Sequence, residues 1–203
     1  MTGSAMTGQD TGSQGSYPAD GAHSPSLRCD RAAALFVQIP ELAEDMDARP
    51  DRDEAALKFV QRLLVSPTPE EAITFMAQLF TRRVAVWWGH ECLRYLEKQL
   101  DPLDLEMMQL CAAWVASPDE THRHHVATSA DACAVRSPGV WLAMGAGWSG
   151  GSLAAPDNPV VTPPRFLTGR GVNASVLSAL ARVPRGERQQ TLETFITMAH
   201  DLV

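Results

Sequence analysis

The amino-acid sequence predicts an all-α protein, an irregular multi-helix bundle, with a short α-solenoid as the alternative architecture. Two observations carry this. Apolar residues recur at three- and four-residue spacing through most of the chain, the period that stacks side chains on one helical face. Helix-start signals built on proline occur four times, at Thr68-Pro69, Asp101-Pro102, Ser117-Pro118 and Ser137-Pro138. Each sets a capping side chain ahead of a residue that has no amide to leave unpaired. The signals are unevenly spaced and the residues between them do not match, whereas a solenoid repeats at one fixed period.

The elements follow in order. Residues 1 to 26 are rich in Gly, Ser, Thr, Gln and Asp. They cannot bury enough apolar surface to offset their ordering entropy and are expected to be a disordered tail. Residues 27–203 are expected to form a single helical domain. Ala32 to Ile39 reads as a short helix ended by Pro40, and Asp51 to Val65 as a helix with one oily side. Thr68-Pro69-Glu70-Glu71 reads as a capping box, with Glu71 reaching back to the helix start. The helix it opens turns Ile73, Met76, Ala77 and Phe80 inward. After a short break, the segment holding Thr81 to Arg94 reads as a central helix. Its face is set by Val84, Trp88, Cys92 and Tyr95, and the adjacent Trp87-Trp88 pair widens the buried arc.

Asp101-Pro102-Leu103-Asp104 starts a helix whose face carries Leu103, Met107, Leu110, Cys111 and Trp114. Ser117 to Glu120 opens a polar helix to about Cys133. From Pro138 to Trp148 one side carries Trp141, Met144 and Trp148. On another side Gly139, Ala143, Gly147 and Gly151 recur every four residues, which lets a neighbouring backbone approach closely. Pro156, Pro159, Pro163 and Pro164 forbid a continuous helix and predict a proline-rich loop. Helices Val172 to Arg182 and Glu187 to Leu202 close the chain.

A net charge of −7 argues against a general nucleic-acid binder, because phosphate contacts need clustered Lys and Arg. No apolar run reaches the roughly 18 to 20 residues that span a bilayer, and the polar N-terminus has no signal-peptide core. Cytoplasmic localisation without membrane insertion is expected. The four cysteines, Cys29, Cys92, Cys111 and Cys133, include no Cys-x-x-Cys pair and read as buried small hydrophobes of a reducing compartment.

Few residue constellations carry chemistry. His122-Arg123-His124-His125 is the densest metal-capable cluster, and His122 and His125 share a helical face. The spacing matches no zinc motif, and a solvated polar face explains it. In His90-Glu91-Cys92 the His and Cys side chains point apart, and Glu91 reads as bonded to Arg94 or Tyr95 at the rim of the core. Trp148-Ser149-Gly150-Gly151-Ser152 lacks the strand and spacing of a nucleophile elbow and reads as a helix stop with a glycine at positive φ. Gly169-Arg170-Gly171 lacks the Lys and spacing of a phosphate loop. Tryptophan and arginine are over-represented at binding hot spots. The candidate interaction residues are therefore Arg82, Arg83, Trp87, Trp88, Glu91, Arg94, Trp141, Trp148, Ser149 and Gly150.

The strings Ala72-Ile73-Thr74-Phe75-Met76-Ala77-Gln78-Leu79-Phe80, Arg82-Arg83, Ala85-Val86-Trp87-Trp88, Pro138 to Trp141, Trp148-Ser149-Gly150-Gly151-Ser152-Leu153-Ala154, Pro163-Pro164 and Leu167-Thr168-Gly169-Arg170 supply a further signal. Together they resemble an uncharacterised bacterial protein family, a domain of unknown function, over residues 30 to 200. The resemblance implies an association with gene neighbourhoods that include type VI secretion components. It carries over no catalytic residue. The expectation is a non-enzymatic protein–protein interaction or accessory module of such a system. Its partner would be another protein or a second copy of the chain, and no cofactor is expected. An immunity protein that neutralises a secreted toxin, and a small metal-binding enzyme using His122 and His125, are the alternatives.

Overall fold

A computed structural model describes residues 24–154 and 158–203. The described residues form helices α1 (Ala32–Gln38), α2 (Leu42–Asp45), α3 (Ala56–Leu64), α4 (Glu71–Leu79), α5 (Arg82–Tyr95), α6 (Pro102–Ala116), α7 (Glu120–Asp131), α8 (Pro138–Gly147), α9 (Leu167–Leu180) and α10 (Arg188–His200). Short 3₁₀ turns at Glu97–Gln99 and Arg185–Glu187 join them, and no strand occurs among the described residues. The protein is all-α, as its periodicity predicts. The expected tail lies outside the described residues as far as residue 23, as do residues 155–157 of the expected loop.

Two helices form the interior. Every residue of α4 is buried, and α3, α5, α9 and α10 surround it. Helix α8 is enclosed by α5, α6, α7 and α9. Helix α9 packs on both α4 and α8 and fuses the two centres. These contacts skip along the chain, whereas each unit of a solenoid touches only its neighbours. The arrangement is a bundle.

The glycines of α8 and α9 permit that closeness. A Cβ on Gly139 would lie 2.5 Å from the Asp104 carbonyl oxygen of α6, and one on Gly147 would lie 2.8 Å from Ala127 Cβ of α7. Gly145 and Gly171 meet backbone to backbone, and a Cβ on Gly171 would sit 2.7 Å from Gly145 Cα. Gly139 and Gly147 of the four-residue spacing thus admit α6 and α7, whereas the approach of α9 is made by Gly145, outside that spacing.

Several elements differ from the sequence reading. Helix α3 begins at Ala56, not Asp51, because Ala32 N–H donates to Glu54 O and Ala56 N–H to Asp30 O, pairing this stretch with the segment before α1. The capping box at Thr68–Glu71 does not form. Glu71 is buried, and its carboxylate accepts from Asp47 N–H at 2.7 Å and Ala48 N–H at 3.1 Å, tying down the chain after α2. The buried stripe of α5 is Ala85, Val86, Trp88, Gly89, Cys92 and Leu93. Val84 and Tyr95 lie off it, Val84 half-buried and Tyr95 exposed, so the inward face is turned from the one expected. Helix α9 starts at Leu167, well before Val172, since Gly169 and Gly171 fit against Gln78 and Gly145 where larger residues would collide.

Candidate functional site

Helix α5 splits its tryptophan pair between interior and surface. Trp88 is fully buried, and its indole N–H donates to the Phe195 carbonyl at 2.9 Å, fastening α10 to α5. It presents no surface to a partner. Trp87 is half-buried and stacks on His90, with ring centroids 5.0 Å apart and planes 9° from parallel. His90 Nδ1 lies 3.0 Å from Glu91 Oε1, and the Arg94 guanidinium donates to both oxygens of the same carboxylate. Burial pushes the Glu91 carboxyl up, but hydrogen bonds from Arg94 and His90 outweigh it and hold it below the usual range.

Beside Trp87 runs a groove of about 520 Å³, walled by Val84, Trp87, Ala112, Val115, Ala116 and Leu202. Exposed Arg83 stands at its edge, where Nε donates to the Val115 carbonyl at 2.7 Å. This is an apolar trough with one cation on its rim.

The other candidates lie elsewhere. Arg82 Nη1 donates to Ser149 O at 2.8 Å and links the start of α5 to the end of α8. Trp141 and Trp148 are half-buried on α8 and just after it. Trp148 flanks a recess of about 280 Å³ floored by Arg123. Arg123 is buried, donates to Glu120 from Nε and Nη2 and to Gly147 O from Nη1. Gly151 has φ +64°, and a Cβ there would strike that guanidinium, so the turn after α8 is the glycine stop its sequence predicts. Gly150, by contrast, has space around it.

Asp119, not Ser117, caps α7 and accepts from His122 N–H at 2.9 Å. The His122 ring lies 2.9 Å from the same carboxylate, and His125 is exposed. Among the described residues no three of His, Cys, Asp and Glu converge on a point where a metal could sit. Cys92 and Cys111 are buried, and that burial pushes both thiols up, away from the reactive thiolate.

A family model described as a family of unknown function, DUF6931, matches residues 59–203. The chain belongs to DUF6931. The matched region begins inside α3 and runs to the C-terminus, so α1 and α2 precede it. No curated protein and no solved structure matches the chain.

The fold also assembles residues that no local pattern announces, two of them, Arg28 and Gln38, ahead of the region matched to the family. Arg28, Arg82 and Arg165 line one recess of about 430 Å³ together with Gln38 and Thr81. Asp104, fully buried on α6, accepts from Gly139 N–H at 2.8 Å, from Asp101 N–H at 3.2 Å and from Arg182 Nη1 at 3.1 Å. The start signal at Asp101-Pro102-Leu103-Asp104 marks Asp104 as a capping residue for its own helix. Nothing in that signal reveals that it also caps α8.

Proposed function

We propose that this DUF6931 protein is a non-enzymatic interaction module, an accessory factor of a bacterial type VI secretion system acting in the cytoplasm. It binds an apolar segment of a partner protein that carries a carboxylate beside its apolar anchor. The single observation behind this reading is the trough beside Trp87, apolar along its walls and cationic at Arg83. Its volume suits a few apolar side chains. Trp87 is already held by its stack on His90, so little side-chain freedom is lost when a ligand covers it. Tryptophan and arginine at a desolvating groove are the residue types that dominate binding energy. The carboxylate follows from charge complementarity with Arg83. The secretion-system assignment is supported by the resemblance of the Ala85–Trp88 and Trp148–Ala154 strings to proteins of such gene neighbourhoods.

Peptides selected from a random library on the immobilised protein test the groove. The expected winners share apolar anchors next to Asp or Glu. Ala112→Glu should abolish their binding without lowering the melting temperature, and Arg83→Glu should favour peptides with Lys or Arg in place of the acid. Winners that bind Ala112→Glu as well as wild type would refute the groove. Crosslinking in the native cell from a photoreactive residue at position 112 tests the assignment to the apparatus, which fails if the captured protein is not one of its components.

A further inference from the structure

We propose that the recess between Arg28, Arg82 and Arg165 is a binding site for a phosphate-class dianion, a tetrahedral oxyanion of the kind carried by phosphate monoesters. The recess is separate from the Trp87 trough and shares no lining residue with it. Three guanidinium groups meet there in a protein whose net charge is −7. Among the described residues no carboxylate forms an ion pair with any of the three.

Two of the three are fixed in place and still have donors to spare. Arg28 spends Nε on the Phe80 carbonyl at 2.9 Å, and Arg82 spends Nη1 on Ser149 O at 2.8 Å. The remaining N–H groups, and the whole exposed head of Arg165, are open to a ligand. Burial, and then the crowding of Arg82 and Arg165, pulls Arg28 below its ordinary value; burial and Arg165 do the same to Arg82. Each is a cation without its anion, and a bound anion offsets the repulsion among them.

The recess also lies at the start of α5. Thr81 is the N-cap and lines it, its side chain makes no capping bond, and the amides that open a helix have no partner within the helix. Three guanidinium forks lining one recess suit a tetrahedral oxyanion better than a planar carboxylate that one arginine already saturates. Three positive charges favour a dianion over a monoanion. The volume of about 430 Å³ leaves room for the group that bears the phosphate.

The test is titration calorimetry with inorganic phosphate, phenyl phosphate and a phosphothreonine peptide, with acetate at matched ionic strength as control. Saturable binding of the phosphate probes and none of acetate is expected. Arg165→Gln, an exposed position whose change leaves the fold intact, should weaken binding at least about tenfold. Arg82→Gln should do the same, its folding checked by melting temperature. Tighter binding of phenyl phosphate than of inorganic phosphate assigns the site to esters, and tighter binding still of the peptide assigns it to a phosphorylated protein. Equal responses to acetate and phosphate, no binding of any phosphate probe at millimolar concentration, or unchanged affinity in Arg165→Gln would each overturn the proposal.

Discussion

Asp104→Ala should destabilise the protein more than any other single change to a polar side chain. Helix α8 opens at Ser137-Pro138, yet the Ser137 hydroxyl makes no capping bond and Pro138 has no amide. The first free amide, Gly139 N–H, is buried and is satisfied only from another helix, by Asp104 Oδ1 at 2.8 Å. Removing the carboxylate strands that donor, which costs about 1.5–3 kcal/mol for a bond to a charged acceptor. It also opens the capping box of α6, worth about 1 kcal/mol. Arg182 loses least, because it stays partly exposed and keeps the Gln99 carbonyl at 2.8 Å and Asp101 at 3.5 Å. The sum is about 2.5–4 kcal/mol, or on the order of 10 °C in melting temperature for a chain of this size. Urea unfolding of Asp104→Ala beside Arg182→Gln measures it, with Arg182→Gln expected to cost less because the Asp104 carboxylate keeps the Gly139 and Asp101 amides. If Asp104→Ala costs under about 1 kcal/mol, the cross-helix cap is unimportant. If Arg182→Gln costs as much as Asp104→Ala, the ion pair rather than the cap holds α8.

Four further outcomes are expected. Gly139→Ala should destabilise by about 1–3 kcal/mol through overpacking against the α6 backbone, while Gly186→Ala, with open space around it, should be neutral or slightly stabilising; thermal melts separate them. Glu71→Ala should free the Asp47 and Ala48 amides, seen as faster hydrogen exchange after α2 and a loss of about 1–3 kcal/mol. Asp119 is held down to about 2 by its bonds from the His122 amide and ring, so its contribution is present above the ordinary carboxylate value and lost as pH falls through about 2. The melting-temperature gap between wild type and Asp119→Ala should therefore close between about pH 4 and pH 2. Thiol labelling of the native protein should reach half-buried Cys133 first and leave Cys92 and Cys111 unmodified until the protein unfolds.

The helical class was legible because proline start signals and apolar spacing are local properties. At Asp101-Pro102 and Ser137-Pro138 they placed the first helical residue correctly. The same logic failed at Thr68–Glu71, since Glu71 had a better use. Two loop amides after α2 needed an acceptor, and only tertiary structure shows that they lie within reach. The inward face of α5 was misaligned because periodicity fixes a stripe only to within a neighbouring residue, and Tyr95 is aromatic yet exposed, edge-on to Phe195. The arginine recess was illegible for a further reason. Arg82 and Arg83 are neighbours in sequence but serve different features, and Arg28 and Arg165 reach Arg82 from distant parts of the chain.

The two candidate surfaces depend on the same short break between α4 and α5. Leu79 ends α4, and Phe80 and Thr81 are extended, with Phe80 bridging to Leu27 and Thr81 N–H donating to Ser26 O at 2.9 Å. That break holds the start of α5 against the incoming chain. It sets Arg82 next to Arg28 in one recess and leaves Arg83, one residue on, at the edge of the trough. Adjacent helical residues diverge by about 100°, so a single Arg-Arg pair can serve two surfaces only if the helix cannot rotate. Trp88 supplies that restraint: it is buried within two turns of the pair and hydrogen-bonded to α10. Trp88→Phe keeps most of the packing and removes the donor to the Phe195 carbonyl. A loosened α5 would weaken peptide binding at the trough and phosphate binding at the recess together, although Trp88 touches neither ligand. Loss at one surface alone would mean that each is held by its own contacts.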